Sequence, residues 1–581
     1  MRWKYRTPPD TPSGASYTEA PSEILERAEA LDVSPIVTEL LWRRGIEALP
    51  DMDTYLSPGL RHLVSPADWP ALAQAAEIVA NAVRQGRTIA VWGDYDVDGV
   101  TASAILISFL TRRGVSVLHH LPARQEEGYG VNPEGVEALA TQGAELLVTV
   151  DCGIADSPAI ARARELGLQV VVTDHHLPPP ELPPAHAILN PRLEPIPCPT
   201  LGNLAGAGVA FFLAAAVNSL LGPDANNGAF DVRELLDLVS LGTLADVVDL
   251  KGQNRILAKN GLLLVAEAPR PGVAALKEAS GFARKAALGA GQVVFGLTPR
   301  INAAGRMGLA EDALQMLLAP DFDAAWPFAQ KLETLNKERR AEEDRILKEA
   351  LAQAATQSER LGLVLWGEDW HPGVVGIVAS RIVEQTGKPA LVLCAEDGHL
   401  KGSGRSAHHF DLYAGLTACA DLLTRYGGHT QAAGLALESE NVEKLRNAFH
   451  AVVLEQLGPE PLAHSLTVDR PLAFSDIDFT LLKELDLLQP YGMGNPEPVF
   501  VSNPVEVLGL RRFGKERIHA SLELLDKTAR AQLRGKYWRK ANALPDSIKG
   551  TMVRVAFTPK IDRYDGVPKI ELQIKDIQPA D

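Results

Sequence analysis

Three short apolar runs, TIAVW at 88–92, LLVTV at 146–150 and QVVVT at 169–173, are separated by segments with helical spacing of their hydrophobic residues. Runs that are apolar on both faces read as buried parallel strands, and their alternation with helices predicts a βαβ sheet. The alternation extends over 71–322, with one helix expected at about Ser157–Leu166, closed by Gly167. Residues 1–70 open Pro-rich and then carry the short helical patterns PSEILERAEAL and SPIVTELLWRRG. They are expected to form an N-terminal arm with small helices. From Asp323 to Arg360 there is no Gly and one Pro, at 327, in a stretch rich in Ala, Leu, Glu, Lys and Arg. That predicts one long helix at 323–360, exposed over much of its length and bridging two domains. Residues 361–462 begin a second α/β unit, with GLVLWG and PALVLCA as strands. Over 463–581 the runs PVFVSNPVEVLGLRRF, RIHASLELL, TMVRVAFTP and KIELQIKDIQP predict a small β-barrel or sandwich. The expected fold class is α/β: two α/β domains joined by a long helix, plus a C-terminal β-barrel.

A chain of 581 residues is too long for one core, in keeping with several domains. No run approaches 18 apolar residues, so no membrane span is expected. The segment MRWKYRTPPDTPSGAS lacks the apolar stretch of a signal peptide. Cys152, Cys198, Cys394 and Cys419 form no CxxC pair, which argues against disulfides and structural zinc and favours a cytoplasmic location. The net charge of −16 argues mildly against a generic polyanion binder. Residues 505–581 reverse that balance locally, with 16 Lys or Arg against 10 Asp or Glu.

Each of the three apolar runs ends in acids. In DYDVDG, Asp94, Asp96 and Asp98 alternate and would share one face of an extended segment, with Gly99 turning into a helix that Thr101 is expected to cap. Asp151 follows the second run, and Asp174-His175-His176 the third. Asp246 lies in the amphipathic helical stretch LLDLVSLGTLADVVDL, where a buried acid is costly unless paired or metal-bound. Asp249 reads equally well as a cap or a surface acid. Ligands of open α/β sheets bind beyond the carboxyl ends of the strands. Crowded carboxylates repel one another unless a cation stands between them, and an oxygen-rich set with an imidazole suits Mn²⁺ or Mg²⁺ better than Ca²⁺. Lys401-Gly-Ser-Gly-Arg-Ser406 suits a phosphate through Ser403, Arg405 and close backbone amides, and reads alternatively as a Gly-rich hairpin turn.

The series DYDVDG, DCG, DHH and LADVVD, in this order, resembles the DHH phosphoesterase superfamily. The segments HPGVVGIVASR at 371–381, KGSGRS at 401–406 and YGGHTQAAG at 426–434 resemble its associated substrate-binding domain. With the long helix and β-rich tail, residues 75–575 are similar to the branch of single-strand-specific 5′→3′ exonucleases. The resemblance implies metal ligands at Asp96, Asp98, Asp151, His175 and Asp246, with the neighbouring acid Asp94 as a further candidate ligand, and two ions, Mn²⁺ or Mg²⁺. Asp151 would bridge them. His176 joins the catalytic set as a ligand, a proton donor or a group behind the ligands. Arg124, Ser403 and Arg405 would hold a 5′-terminal phosphate, Arg300 and Arg306 backbone phosphates, and Gly427, Gly428, His429 and His371 would lie near the nucleotide. His399, His408 and His409 lack such support and are expected at the surface. The tail resembles an OB-fold, with Arg511, Arg512, Phe513, Lys515, Arg517, Lys536, Tyr537, Trp538, Arg539 and Lys540 as basic and aromatic candidates for single-stranded DNA. The implied activity is two-metal release of 5′-mononucleotides by a monomer in DNA repair and recombination. A single-strand-binding protein and a recombination helicase are the implied partners. A nanoRNase or cyclic-dinucleotide phosphodiesterase is the nearest alternative, and length and the basic tail speak against it. An inactive DNA-binding scaffold is a third reading, opposed by the intact motif acids and His175.

Overall fold

The computed structural model describes residues 2–9, 11, 16–124, 126–193, 201–223, 230–396, 398–407, 409–459, 465–563 and 566–580. Cys198, His408 and the expected domain limit at 462–463 lie outside them. Its strands are numbered in chain order, beginning with β1 (Arg2–Tyr5).

The three apolar runs form neighbouring strands. They are β2 (Ile89–Gly93), β4 (Leu146–Val150) and β5 (Gln169–Thr173), joined by β3 (Val117–His120) and β6 (Ala187–Leu189) in an all-parallel sheet of order β3-β2-β4-β5-β6. Successive side chains alternate across a strand, which is why the runs are apolar throughout. Ile89, Val91, Val148 and Val171 enter the core under the helices Pro70–Arg84, Val97–Arg112 and Gly206–Leu221, whereas Ala90, Trp92, Leu147 and Val172 enter a second core under the helices Pro133–Thr141 and Ser157–Glu165. Registers Gly93↔Val150 and Val150↔Thr173 bring the next residues, Asp94, Asp151 and Asp174, side by side at the carboxyl edge.

The long helix runs from Phe322 to Thr356. It is exposed only in part. Ala325, Ala329 and Leu332 are buried in the first domain's core, and Ile346, Ala350 and Ala354 in that of the second. The buried residues between them, Asn336, Arg339 and Glu343, are polar and lie at the junction. The second domain carries β7 (Leu363–Gly367), β8 (Ala390–Glu396), β9 (His399–Arg405), β10 (Arg425–Gly428) and β11 (Ala432–Glu438) in the order β10-β11-β9-β8-β7. Lys401–Arg405 is therefore strand, not a hairpin turn.

After β12 (Ser465–Val468), β13 (Arg470–Pro471) and β14 (Phe500–Val501) come β15 (Val505–Phe513), β16 (His519–Asp526), β17 (Ala531–Tyr537), β18 (Met552–Asp562) and β19 (Lys569–Pro579). Pairings run β15–β16–β17–β19–β18 and return from β18 to β15, with only β17–β19 parallel within the ring, so the sheet closes into a five-stranded barrel. The first seventy residues are more than an arm. β1 pairs with β12, and Ile24, Val37, Leu40, Leu41 and Met52 share one core with Leu482, Val507, Leu522, Leu524 and Phe557. Both ends of the chain thus build one module. Arg255 anchors it to the first domain by donating to the Tyr55 (3.0 Å), Leu488 (3.0 Å) and Leu487 (2.9 Å) carbonyls.

Candidate metal centre and phosphate cleft

Asp96, not Thr101, caps the helix Val97–Arg112. Its carboxylate accepts from the Asp98 (2.8 Å) and Gly99 (3.1 Å) amides, while the Thr101 hydroxyl lies inside the helix and donates to the Val97 carbonyl (2.8 Å). The first acid before a helix meets the free amides of its first turn, and that bond decides the boundary. Asp98 sits within that first turn rather than on an extended face, and its two oxygens accept from the amides of Gly206 (2.6 Å) and Ala207 (2.9 Å) at the start of another helix. Asp246 is likewise not inside a helix; it terminates Leu236–Ala245 as the C-cap. Asp151 adopts left-handed backbone, with φ of 61°.

These loops converge. His175 Nε2 lies 3.0 Å from Asp151 Oδ1, 3.7 Å from Asp246 Oδ2 and 3.9 Å from Asp98 Oδ2. Three groups, linked through Asp151 and His175, each bring one ligand atom per residue within 4.8 Å of the others: Asp98, His175 and Asp246; Asp94, Asp96 and Asp151; and Asp151, His175 and His176. Asp94, the further candidate from the sequence, stands with Asp96 and Asp151. Asp94 Oδ1, Asp151 Oδ1, Asp246 Oδ2 and His175 Nδ1 are buried with no hydrogen-bond partner among the described residues. Burial raises the Asp94 carboxyl to about 8, with Asp96 adding to it. Burial first, and then the neighbouring acids, also raise Asp98 and Asp151 well above their ordinary values; burial raises Asp96 against the opposing Gly99 amide, and burial lowers His175. Acids that resist ionisation, with unpartnered oxygens pointing at one another, fit divalent cations.

Asp174 serves a different end. It accepts from the amides of His175 (2.7 Å), His176 (3.0 Å) and Ile154 (3.0 Å) and bonds His176 Nδ1 at 2.7 Å. Burial opposes a charge on His176, but the Asp174 bond and surrounding carboxylates outweigh it and push the imidazole up to about 8. The Tyr129 hydroxyl reaches the Asp151 carbonyl (3.3 Å) and His176 Nδ1 (3.2 Å). Sequence reasoning missed Tyr129, although it belongs to the EEGYG segment beside Arg124.

Tyr95 and Tyr129 also line a cleft of about 700 Å³ between the two α/β domains, together with Arg124, Arg306, Ser403, Arg405, Gly427 and Gly428. Among the described residues, these three guanidiniums lack acids. Arg306 donates to the Gly373 carbonyl (3.0 Å), Arg405 to Ser403 Oγ (2.7 Å) and its own strand's Gly404 carbonyl (2.8 Å), and Arg124 lies over the Tyr95 ring (5.2 Å). Burial and then Arg124 lower Arg306 to about 10 and Arg405 in the same direction. Three other expected residues lie outside the cleft lining. Arg300 is turned into an ion pair with Glu333 (2.7 Å), and His371 caps the helix Pro372–Thr386 by accepting from the Gly373 amide (3.0 Å). His429 is exposed beyond Gly428, its Nδ1 accepting from the Gln431 amide (3.2 Å).

The sequence of this chain matches the DHH family N-terminal domain at residues 88–243, the DHHA1 domain at 359–455 and the RecJ OB domain at 468–576. Fold and site together define a DHH-type protein: an acid-rich centre on a parallel sheet, facing a cleft closed by the associated domain. The chain is 36% identical to the single-stranded-DNA-specific exonuclease RecJ of Salmonella typhimurium, covering 94% of this chain and 96% of that one. The crystal structures of RecJ from Thermus thermophilus in complex with Mn²⁺ and with Mg²⁺ superpose with TM-scores of 0.82 and 0.76, at 33% and 31% identity, over all of this chain and 80% and 79% of theirs. The chain belongs to the RecJ family.

Proposed function

We propose that this chain is a metal-dependent exonuclease that degrades single-stranded DNA from its 5′ end to 5′-mononucleotides. One observation carries the reading: a cluster of acids crowded around His175 and a cleft holding three guanidiniums without acid partners adjoin each other through Tyr95, which lines the cleft and stands in sequence between the cluster acids Asp94 and Asp96. Crowded acids and guanidiniums left without counter-charges are costly, and a chain that keeps both sets is built for a ligand that supplies both. A metal-bound phosphodiester with a terminal phosphate does so.

Asp98, His175 and Asp246 would hold one ion and Asp94 and Asp96 the other, with Asp151 common to both. Bound Mn²⁺ or Mg²⁺ would supply a water of lowered pKa and charge neutralisation at the scissile phosphate. The Gly206 and Ala207 amides keep Asp98 oriented, and Asp174 orients His176, which we assign as proton donor to the leaving oxygen. Arg124, Arg306 and Arg405 bind the 5′-phosphate and so select that end of the strand. Backbone donors and guanidiniums bind phosphate without reading base edges, so sequence preference is expected to be weak. Discrimination against duplex follows from the cleft's confinement between domains.

The assay uses Mn²⁺ with single-stranded DNA labelled at either end, a duplex and a short RNA. Mononucleotides appearing first from the 5′ end of the single strand support the reading; preferential cleavage of the RNA moves it to a nanoRNase. Asp151→Ala and His175→Ala are expected to abolish cleavage with the fold intact by circular dichroism, and activity in either variant overturns the assignment of the centre. Domain limits at 70, 322, 360 and 462, a cytoplasmic location and association with a single-strand-binding protein and a recombination helicase belong to the same reading.

A further inference from the structure

We propose that Tyr95 is a positioning residue that sets the spacing between the 5′-phosphate cleft and the metal centre, and thereby holds the product to one nucleotide. The inference rests on the nuclease reading above.

Tyr95 stands between two acids of the metal cluster, Asp94 and Asp96, yet its ring lines the cleft. Over that ring, 5.2 Å from its centroid, lies the Arg124 guanidinium. Among the described residues no carboxylate pairs with Arg124. A long side chain with no acid to hold it has many orientations, and the face of an aromatic ring narrows them while leaving its N–H donors free. The backbone of Tyr95 makes a second connection. A Cβ at position 305 would stand 2.6 Å from the Tyr95 carbonyl oxygen, so the close contact requires Gly305, and Gly305 precedes Arg306. The residue whose ring carries one cleft arginine thus abuts, through its carbonyl, the helix that presents another. Arg124 and Arg306, both from the first domain, are referenced to the segment that holds the metal acids. Arg405 comes from the second domain and is tied to Ser403 instead. The distance from 5′-phosphate to cleavage point is then set chiefly by contacts that converge on Tyr95 within the first domain.

The ordinary alternative is that Tyr95 merely fills space at the edge of the core against which it packs. The test separates the two. Wild type, Tyr95→Phe, Tyr95→Leu and Tyr95→Met are compared with Mn²⁺ on 5′-phosphorylated and 5′-hydroxyl oligodeoxynucleotides. The readouts are the ratio of kcat/KM between the two substrates and the length of the first product. Both are independent of the fraction of folded enzyme, so a packing fault in one variant does not decide the result. Phe keeps the ring face and is expected to match wild type. Leu and Met are expected to lose about five- to ten-fold of the 5′-phosphate preference, mainly through KM, in line with a partly buried cation–π contact. They are also expected to release dinucleotides beside mononucleotides. Adding Tyr95→Leu to Arg124→Met should cost no further preference. An unchanged ratio and product length in Leu and Met, or a Phe variant as impaired as Leu, overturns the proposal. Failure of the wild type to release 5′-mononucleotides would instead sink the nuclease reading.

Discussion

At the residue scale, the metal centre is a place where the chain accepts instability. Asp94 is buried with an unpartnered oxygen, and its carboxyl is raised from 3.8 to about 8. Its folded pKa lies above the unfolded one, so between these values the native state holds a proton that the unfolded state releases. The sign is then set: this group makes the metal-free protein lose stability as pH rises from about 4 to about 8. Asp94→Asn is expected to flatten that slope and to raise the melting temperature of the metal-free protein at pH 8, while lowering Mn²⁺ affinity. Thermal melts across pH, with and without Mn²⁺, check both; a metal-free variant melting below wild type at pH 8 contradicts the account. Asp174 is different, because its oxygens are satisfied and it only orients others. Asp174→Asn should lower activity by about 10- to 100-fold, comparable to the cost of losing a group that orients a side chain at a metal site, with a smaller effect on metal-free stability than on turnover. These residues were legible in sequence as strand-end acids. Tyr95 and Tyr129 were not, because an aromatic beside an acid has no pattern of its own until the cleft brings it against a guanidinium.

At the scale of elements, glycine placement explains how backbone reaches the acids. In the helix Leu236–Ala245, Gly242 stands where a Cβ would lie 2.6 Å from Asp98 Oδ1 and 2.4 Å from Thr101 Oγ1. Helix propensity alone favours Ala at such a position by about 1 kcal/mol. Gly242→Ala is nevertheless expected to destabilise the protein and to reduce cleavage by at least about 10-fold, as displacement of an oriented ligand does. Denaturant melts and single-turnover rates test this, and a stabilised, fully active variant contradicts it. The strands and the long helix were readable because their periodicities are local properties. The end of the helix before Asp246 and the cap at Asp96 were misread. The cap at Asp96 is set by local amides, those of Asp98 and Gly99, which an acid just before the helix reaches better than Thr101 inside it; Asp246, by contrast, ends its helix within reach of the distant His175.

At the scale of the molecule, the module built from both ends of the chain changes what a truncation reports. Removing residues 465–581 alone would strip the covering from Val37, Leu40, Leu41 and Met52, all fully buried. Exposed apolar patches of that kind drive association. That truncation is expected to aggregate, whereas residues 57–459, lacking both parts of the module, are expected to remain monomeric and to keep cleaving short oligonucleotides. Its binding to long single strands should be weaker and its dependence of log K on log salt shallower, since the barrel's basic contacts are gone. Light scattering and salt titrations decide it. Arg255→Met should act at the same joint. It leaves the carbonyls of Tyr55, Leu487 and Leu488 without their donor, at about 1–3 kcal/mol each where they stay buried. Faster proteolysis near residues 57 and 460 would report the undocking.

The sequence by itself determined the strands, the long connecting helix and the acids waiting at strand ends, because apolar periodicity and burial are written into neighbouring residues. It also determined the family, through motifs whose order survives without knowledge of their geometry. Only the tertiary structure decided that Tyr95 and Tyr129 line the arginine cleft and that Arg300 is spent on Glu333 while Arg124, Arg306 and Arg405 stay unneutralised. It alone decided that the two ends of the chain share one core. The physical reason is common to all three: whether a charge or an apolar face is compensated depends on what lies a few ångströms away in space, and those partners are tens to hundreds of residues away along the chain.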